Sequence, residues 1–189
     1  MSKKTPDFAE VSAKMAITEV VHRYCRGIDR MDRALTLSCW HPGGTDDHAP
    51  LYAGSAEGFI QWLWPEHQRM TVTRHVVSNT LIQLDGGHAG VETYWSVTLQ
   101  VPHGKQLYDI VSGGRYLDRF ECIDDIWAIR HRQSVLDWHR VDSVGLTMAD
   151  FAAQPLINPN NPEVTATLGR RDRDDCSYSY LGLLNVRAQ

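Results

Sequence analysis

The stretch Thr71-Val72-Thr73-Arg74-His75-Val76-Val77-Ser78-Asn79-Thr80-Leu81-Ile82-Gln83-Leu84 repeats with a period of two. Branched and hydroxyl-bearing side chains dominate it, as suits a half-buried strand. It carries one histidine, His75, in phase with Val77 and Asn79. Asp85-Gly86-Gly87 follows and reads as a hairpin turn. Further period-two runs span 89–101, 106–120 and 126–137, parted by Pro102-His103-Gly104-Lys105 and by Glu121 to Asp125. Four long strands in sequence predict an antiparallel meander with one face to bury.

Upstream the period changes to three and four. Val11, Met15, Val20, Val21, Tyr24, Cys25, Ile28 and Met31 predict an amphipathic helix capped by Asp7 or Ser12. Gly27 costs such a helix about 1 kcal/mol against Ala and so implies close packing there. Asp32 opens a short helix over 33–38. Ser55 opens a third over 56–68, with Phe59, Ile60, Leu63 and Trp64 on its buried side and Pro65 in its last turns. Residues 40–54, rich in Pro, Gly, Asp and His, read as a loop. Helices followed by strands indicate an α+β fold in which the helices cover the meander.

The 189 residues suit one domain over 1–150, followed by an extended tail over 151–189 as a pocket lid or subunit contact. Pro155 to Pro162 excludes regular structure, and Ser177 to Leu184 is the part of the tail expected to return to the body. A net charge of −4 lacks the basic footprint of a nucleic-acid partner. No apolar run approaches the roughly 20 residues needed to span a bilayer. Four scattered cysteines without a CxxC, and no signal-peptide pattern at the N-terminus, indicate reduced thiols in a cytoplasmic protein.

His75 alone reads more readily as a core residue than as a catalyst. A carboxylate able to orient it changes that balance. Asp29 lies near the end of the first helix among apolar neighbours, a poor place for Asp unless its side chain has a partner. A carboxylate on one imidazole nitrogen fixes the tautomer and stabilises the imidazolium. The competing reading pairs Asp29 with Arg30 or Arg33. Tyr24, on the same helix, offers a phenol to a substrate oxygen or packs in the core. Arg130 and Arg132 alternate with Ile129 and His131, which predicts one shared side. If that side is concave, Arg132 can stabilise a departing anion. Arg115 follows Gly113-Gly114, a predicted bulge. Asp109 is a strand-interior acid. His41 to His48 has metal-ligand residue types without a metal-binding spacing, so no metal is expected. No nucleotide-binding or serine-hydrolase motif is present.

Four segments together resemble the SnoaL-like branch of the nuclear transport factor 2-like superfamily: Tyr24-Cys-Arg-Gly-Ile-Asp29-Arg-Met-Asp32, Thr73-Arg-His75-Val-Val-Ser-Asn79, Gly113-Gly-Arg-Tyr-Leu-Asp-Arg-Phe120 and Trp127-Ala-Ile-Arg-His-Arg132. That branch includes scytalone dehydratase, bile-acid 7α-dehydratases and lindane dehydrochlorinase. The resemblance implies a cone of curved antiparallel sheet, closed by the N-terminal helices around a deep pocket. It implies a cofactor-independent elimination, with His75 as base, Asp29 orienting it, and Tyr24 and Arg132 assisting the leaving group. Asn79, Asp109, Arg115 and Trp64 are the expected substrate contacts. It also implies a homo-oligomer, with a trimer favoured. The expected function is a lyase of dehydratase type acting on a cyclic, mostly apolar substrate. The alternatives are an isomerase, or a non-catalytic small subunit of a ring-hydroxylating dioxygenase or other ligand-binding protein.

Overall fold

A computed structural model describes residues 5–147, 150 and 167–182. Pro155 to Pro162 and residues 183–184 of the expected returning segment lie outside the described residues. Helix α1 runs Phe8–Asp29, and Asp7 caps it by accepting the Glu10 N–H at 2.9 Å. Helix α2 spans Arg33–Leu37, capped by Asp32 on the Leu35 N–H at 3.1 Å. Helix α3 spans Ala56–Gln68, capped by Ser55, and continues past Pro65 to its expected end.

Residues 40–54, expected as a loop, contain two strands: β1 at Trp40–His48 and β2 at Tyr52–Ser55. Strands β3 (Val72–Asp85), β4 (His88–His103), β5 (Gln106–Ile123) and β6 (Ile126–Ser143) form the expected meander. The sheet order is β2-β1-β6-β5-β4-β3. β1 joins β6 in parallel, so the sheet is mixed rather than wholly antiparallel.

The expected closed cone is therefore corrected. The α+β class holds, but the sheet is neither closed nor strongly curled. Its outer strands, β2 and β3, have no ladder between them and remain edges. Closure would require those two edges to pair. α1 packs on β3 and β6 across one face instead.

Register shifts break the simple alternation at several points, one of them between Gly113 and Gly114 where the sequence predicts a bulge, and two decide where expected site residues point. Between Val77 and Thr80, β3 carries two residues opposite one on β4, so Ser78 and Asn79 are both exposed. Thr80, Ile82 and Leu84 then continue the His75 side. A second shift, between Arg119 and Phe120 on β5, leaves Arg130 unpaired on β6. Ile129 and Arg132 consequently share the buried side, while Arg130 is exposed and donates to the Pro42 carbonyl at 3.0 Å. The expectation that Arg130 and Arg132 face one side fails because of this bulge.

The core lies between this face and the helices: Ile17, Val20, Val21 and Ile28 of α1 meet Phe59 and Ile60 of α3 and Tyr116, Phe120 and Ile129 of the sheet. At Gly27, α1 and α2 approach closely. A Cβ there would lie 2.4 Å from Thr36 Oγ1 and 2.8 Å from Thr36 N. Gly27→Ala gains about 1 kcal/mol of helix propensity but suffers about 1–3 kcal/mol of overpacking. Because the Thr36 backbone cannot readily yield, the variant is expected to lose about 1–2 kcal/mol of stability net. The check is a lower urea midpoint at unchanged m-value.

Candidate functional site

The last turn of α1 presents a buried Asp29 to β3. Its Oδ1 accepts from His75 Nδ1 at 2.7 Å, and its Oδ2 accepts the His75 backbone N–H at 2.8 Å. β3 is a sheet edge, so an outward N–H at residue 75 needs a partner other than a strand. The carboxylate supplies it. A negative group at a helix C-terminus is disfavoured by about 0.3–1 kcal/mol, which these two hydrogen bonds offset. The His75 and Asp29 side chains are 9% and 12% exposed. An ionised carboxylate only accepts, so Nδ1 carries the proton and Nε2 keeps its lone pair. The pair is thus arranged as an imidazole base with an orienting acid.

His67, from the last turns of α3, lies alongside. Its ring is near parallel to that of His75, with an interplanar angle of 19° and centroids 6.4 Å apart. It is 5% exposed, and its Nδ1 has no hydrogen-bond partner among the described residues. Burial drives its pKa down to about 3, and the neighbouring His75 and Arg171 act in the same direction.

The described end of the chain straps across this region. Arg171 Nη1 donates to the His67 carbonyl at 2.7 Å and to that of Met70, and burial lowers the Arg171 pKa. Arg173 and the Tyr178 hydroxyl both reach the Asp32 carboxylate at 3.1 Å, and Arg26 reaches Ser177 Oγ at 3.1 Å. Ser177 opens the short helix α4, Ser177–Tyr180. Beside the strap is an open groove of about 530 Å³, lined by Met31, Trp64, Gln68, Met70, Thr71 and residues 169–172.

A second buried cluster surrounds Arg132. Its guanidinium is fully buried and pairs with Asp118 through two hydrogen bonds of 2.7 Å. It lies over the rings of Tyr116 at 4.0 Å and Tyr24 at 4.2 Å. Burial alone would lower its pKa, but the Asp118 carboxylate overrides that and holds it well above the ordinary value. Asp46 stands opposite Arg132 in the parallel ladder and is hydrogen-bonded to His48. His48 stacks on Phe59 at 4.4 Å. Burial pushes the Tyr24 phenol far above its usual pKa.

The structure thus joins Asp29 and His75 and places Tyr24 and Arg132 together elsewhere. No hydrogen bond or ring contact links those two groups among the described residues. Asn79 is exposed at the β3 bulge. Asp109 accepts from Gln100 at 3.1 Å, and Arg115 pairs with Asp137 at 3.1 Å. Both lie on the sheet face opposite His75, whose ladder row runs through Val97 and Ser112. Trp64 lines the groove. In the expected metal-like loop, His41 Nε2 is 2.9 Å from the Glu121 carbonyl, and Asp47 accepts the Ala49 N–H. Sequence reasoning missed His67 and Asp118. The available signals were a polar residue in phase with Ile60 and Leu63 of α3, and an acid between Tyr116 and Phe120 on an apolar strand face.

The His67 shift has a measurable consequence. Its pKa is about 3 in the fold against an ordinary 6.5. The unfolded chain therefore binds more protons between those values, and stability falls as pH drops from 6.5 toward 3. His67→Phe is expected to flatten that part of the pH–stability curve. Urea unfolding of both proteins across this window provides the check.

The SnoaL-like domain family matches residues 9–133. No curated protein matches the chain. Among solved structures, a hexachlorocyclohexane dehydrochlorinase, LinA type 2, is similar with a TM-score of 0.66 at 14% identity, covering 75% of this chain and 95% of that one. A candidate scytalone dehydratase from Novosphingobium aromaticivorans gives 0.62 at 15% identity, covering 72% and 96%. A variant of Rv3472, a protein of unknown function from Mycobacterium tuberculosis, gives 0.60 at 20% identity, covering 83% and 86%. At these identities the likeness concerns the fold. The family match spans most of α1 through β6 and both halves of the Asp29–His75 pair, and the chain belongs to the SnoaL-like domain family.

Proposed function

We propose that the protein is a cofactor-independent lyase that eliminates water from a cyclic, mostly apolar hydroxy-ketone. The observation that carries this reading is the double hydrogen bond from Asp29 to the ring and backbone of His75. His75 Nε2 takes the proton from a carbon next to the carbonyl. The C–H electron pair becomes the new C=C bond as the C–O bond breaks. The imidazolium, stabilised by an Asp29 that stays ionised, returns its proton to the departing hydroxide, which leaves as water. The names of two fold neighbours, a dehydrochlorinase and a candidate dehydratase, both denote eliminations and support this class.

The test is turnover of 3-hydroxy-1-tetralone, whose loss of water gives 1-naphthol, followed by absorbance and product mass. His75→Ala is expected to reduce the rate roughly 10²–10⁴-fold, and Asp29→Asn at least about 10-fold. Undiminished turnover by a folded His75→Ala protein would sink the proposal. A product of unchanged mass would indicate isomerisation instead.

The same reading includes a homotrimer. Val76 and Trp138 occupy one row of the sheet face away from α1, Tyr94 lies on the same side, and all three are exposed. Trp138→Glu is expected to shift sedimentation from trimer toward monomer; a monomeric wild type would discard this part.

A further inference from the structure

An elimination at His75 needs a hydrogen-bond donor for the departing oxygen. Tyr24 and Arg132, the residues that the resemblance implies for this role, sit in a separate buried cluster, where Arg132 Nη1 has no hydrogen-bond partner among the described residues. Both guanidinium bonds of Arg132 that the structure records go to Asp118, and Tyr24 lies beneath the same guanidinium. We propose that His67 is the second imidazole of the site, donating its ring N–H to the oxygen that leaves the substrate. This rests on the lyase reading above.

Three observations carry it. The His67 ring runs near parallel to that of the base, with centroids 6.4 Å apart, which makes it a neighbouring ring nitrogen source on the His75 side. His67 is buried, yet neither ring nitrogen makes a hydrogen bond among the described residues, and Nδ1 is wholly shielded from water. A buried imidazole of this kind is a costly group to leave idle. Arg171 donates to the His67 carbonyl and leaves the ring nitrogens unengaged.

The division of labour follows from charge. His67 stays neutral under burial, so it retains one N–H donor and no second ring proton to give up. It therefore hydrogen-bonds the oxygen as negative charge develops there. The proton that completes water comes from the His75 imidazolium. One C–H and one C–O bond break, one C=C and one O–H bond form, and both histidines end as they began.

Two probes separate this role from that of the base. Exchange of the C2 hydrogens of 1-tetralone in D₂O needs proton abstraction but has no leaving group. Dehydration of 3-hydroxy-1-tetralone needs both. His67→Phe keeps a stacked ring and removes both nitrogens. It is expected to lower kcat for dehydration about 10²-fold, as loss of a donor to a developing oxyanion does, while exchange is little changed. His67→Gln, which restores an N–H near the ring Nε2 position, should recover part of the loss. Circular dichroism establishes that each variant is folded. A His67→Phe protein that dehydrates as fast as wild type overturns the inference, as does one that loses exchange and dehydration in equal proportion; the base reading survives both results. A His75→Ala protein that keeps both activities, or a wild type inert toward both probes, overturns the two together.

Discussion

A guanidinium with no exposed surface constrains everything around it. Arg132 is buried on the core face of β6, and a charge there is tolerated only when paired and hydrogen-bonded. Asp118 on the neighbouring strand supplies the pair, and Tyr24 and Tyr116 supply ring faces. Such a pair adds little net stability, but removing one partner costs about 3–5 kcal/mol because the other charge is stranded. Its effect is on arrangement. A one-residue slip of β6 against β5 would turn Arg132 to the opposite face. The Tyr24 stack also ties α1 to this point of the sheet, about a turn and a half before α1 delivers Asp29. The position of Asp29 against His75 is thus set partly by a cluster that does not touch either residue.

The edge status of β3 matters equally. In a closed sheet its outward N–H groups would be used by another strand. Because β3 is an edge, the His75 N–H is available to a side chain, and Asp29 takes it. One carboxylate thereby holds both the backbone and the ring of the same residue. The open sheet and the His–Asp pair are consequences of one arrangement, and the closed cone expected from the family resemblance would have removed a hydrogen bond that holds His75.

Much of this was legible in the chain. Periods of 3.6 and two located α1, α3 and the four long strands, and Asp7, Asp32 and Ser55 cap helices as their positions suggest. Asp29 and His75 stood out because each is a polar residue in an apolar setting. What escaped depends on distant partners. β1 looks like a loop because its Pro, Gly, Asp and His residues disfavour a strand in isolation; it becomes one where β6 pairs with it and Asp46 meets His48. The bulges at 78–79 and 130 each shift the alternation by one residue, so Asn79 left the His75 side and Arg130 parted from Arg132. The double glycine Gly113-Gly114 marked one further bulge, but nothing local marks these two, because the extra residue is defined by the opposite strand.

The parallel pairing of β1 with β6 also bears on the order of folding. Thr45 and His131, which meet across that ladder, are 86 residues apart in the chain. The hairpins from β3 to β6 join neighbours and can form as they emerge, since short loops close at little entropic cost. β1 has no such option: its other partner is the four-residue β2. During synthesis Trp40 and Asp46 must wait for the last strand before either is enclosed. β1 therefore gains its parallel partner only once β6, the strand that carries Arg132, has been made.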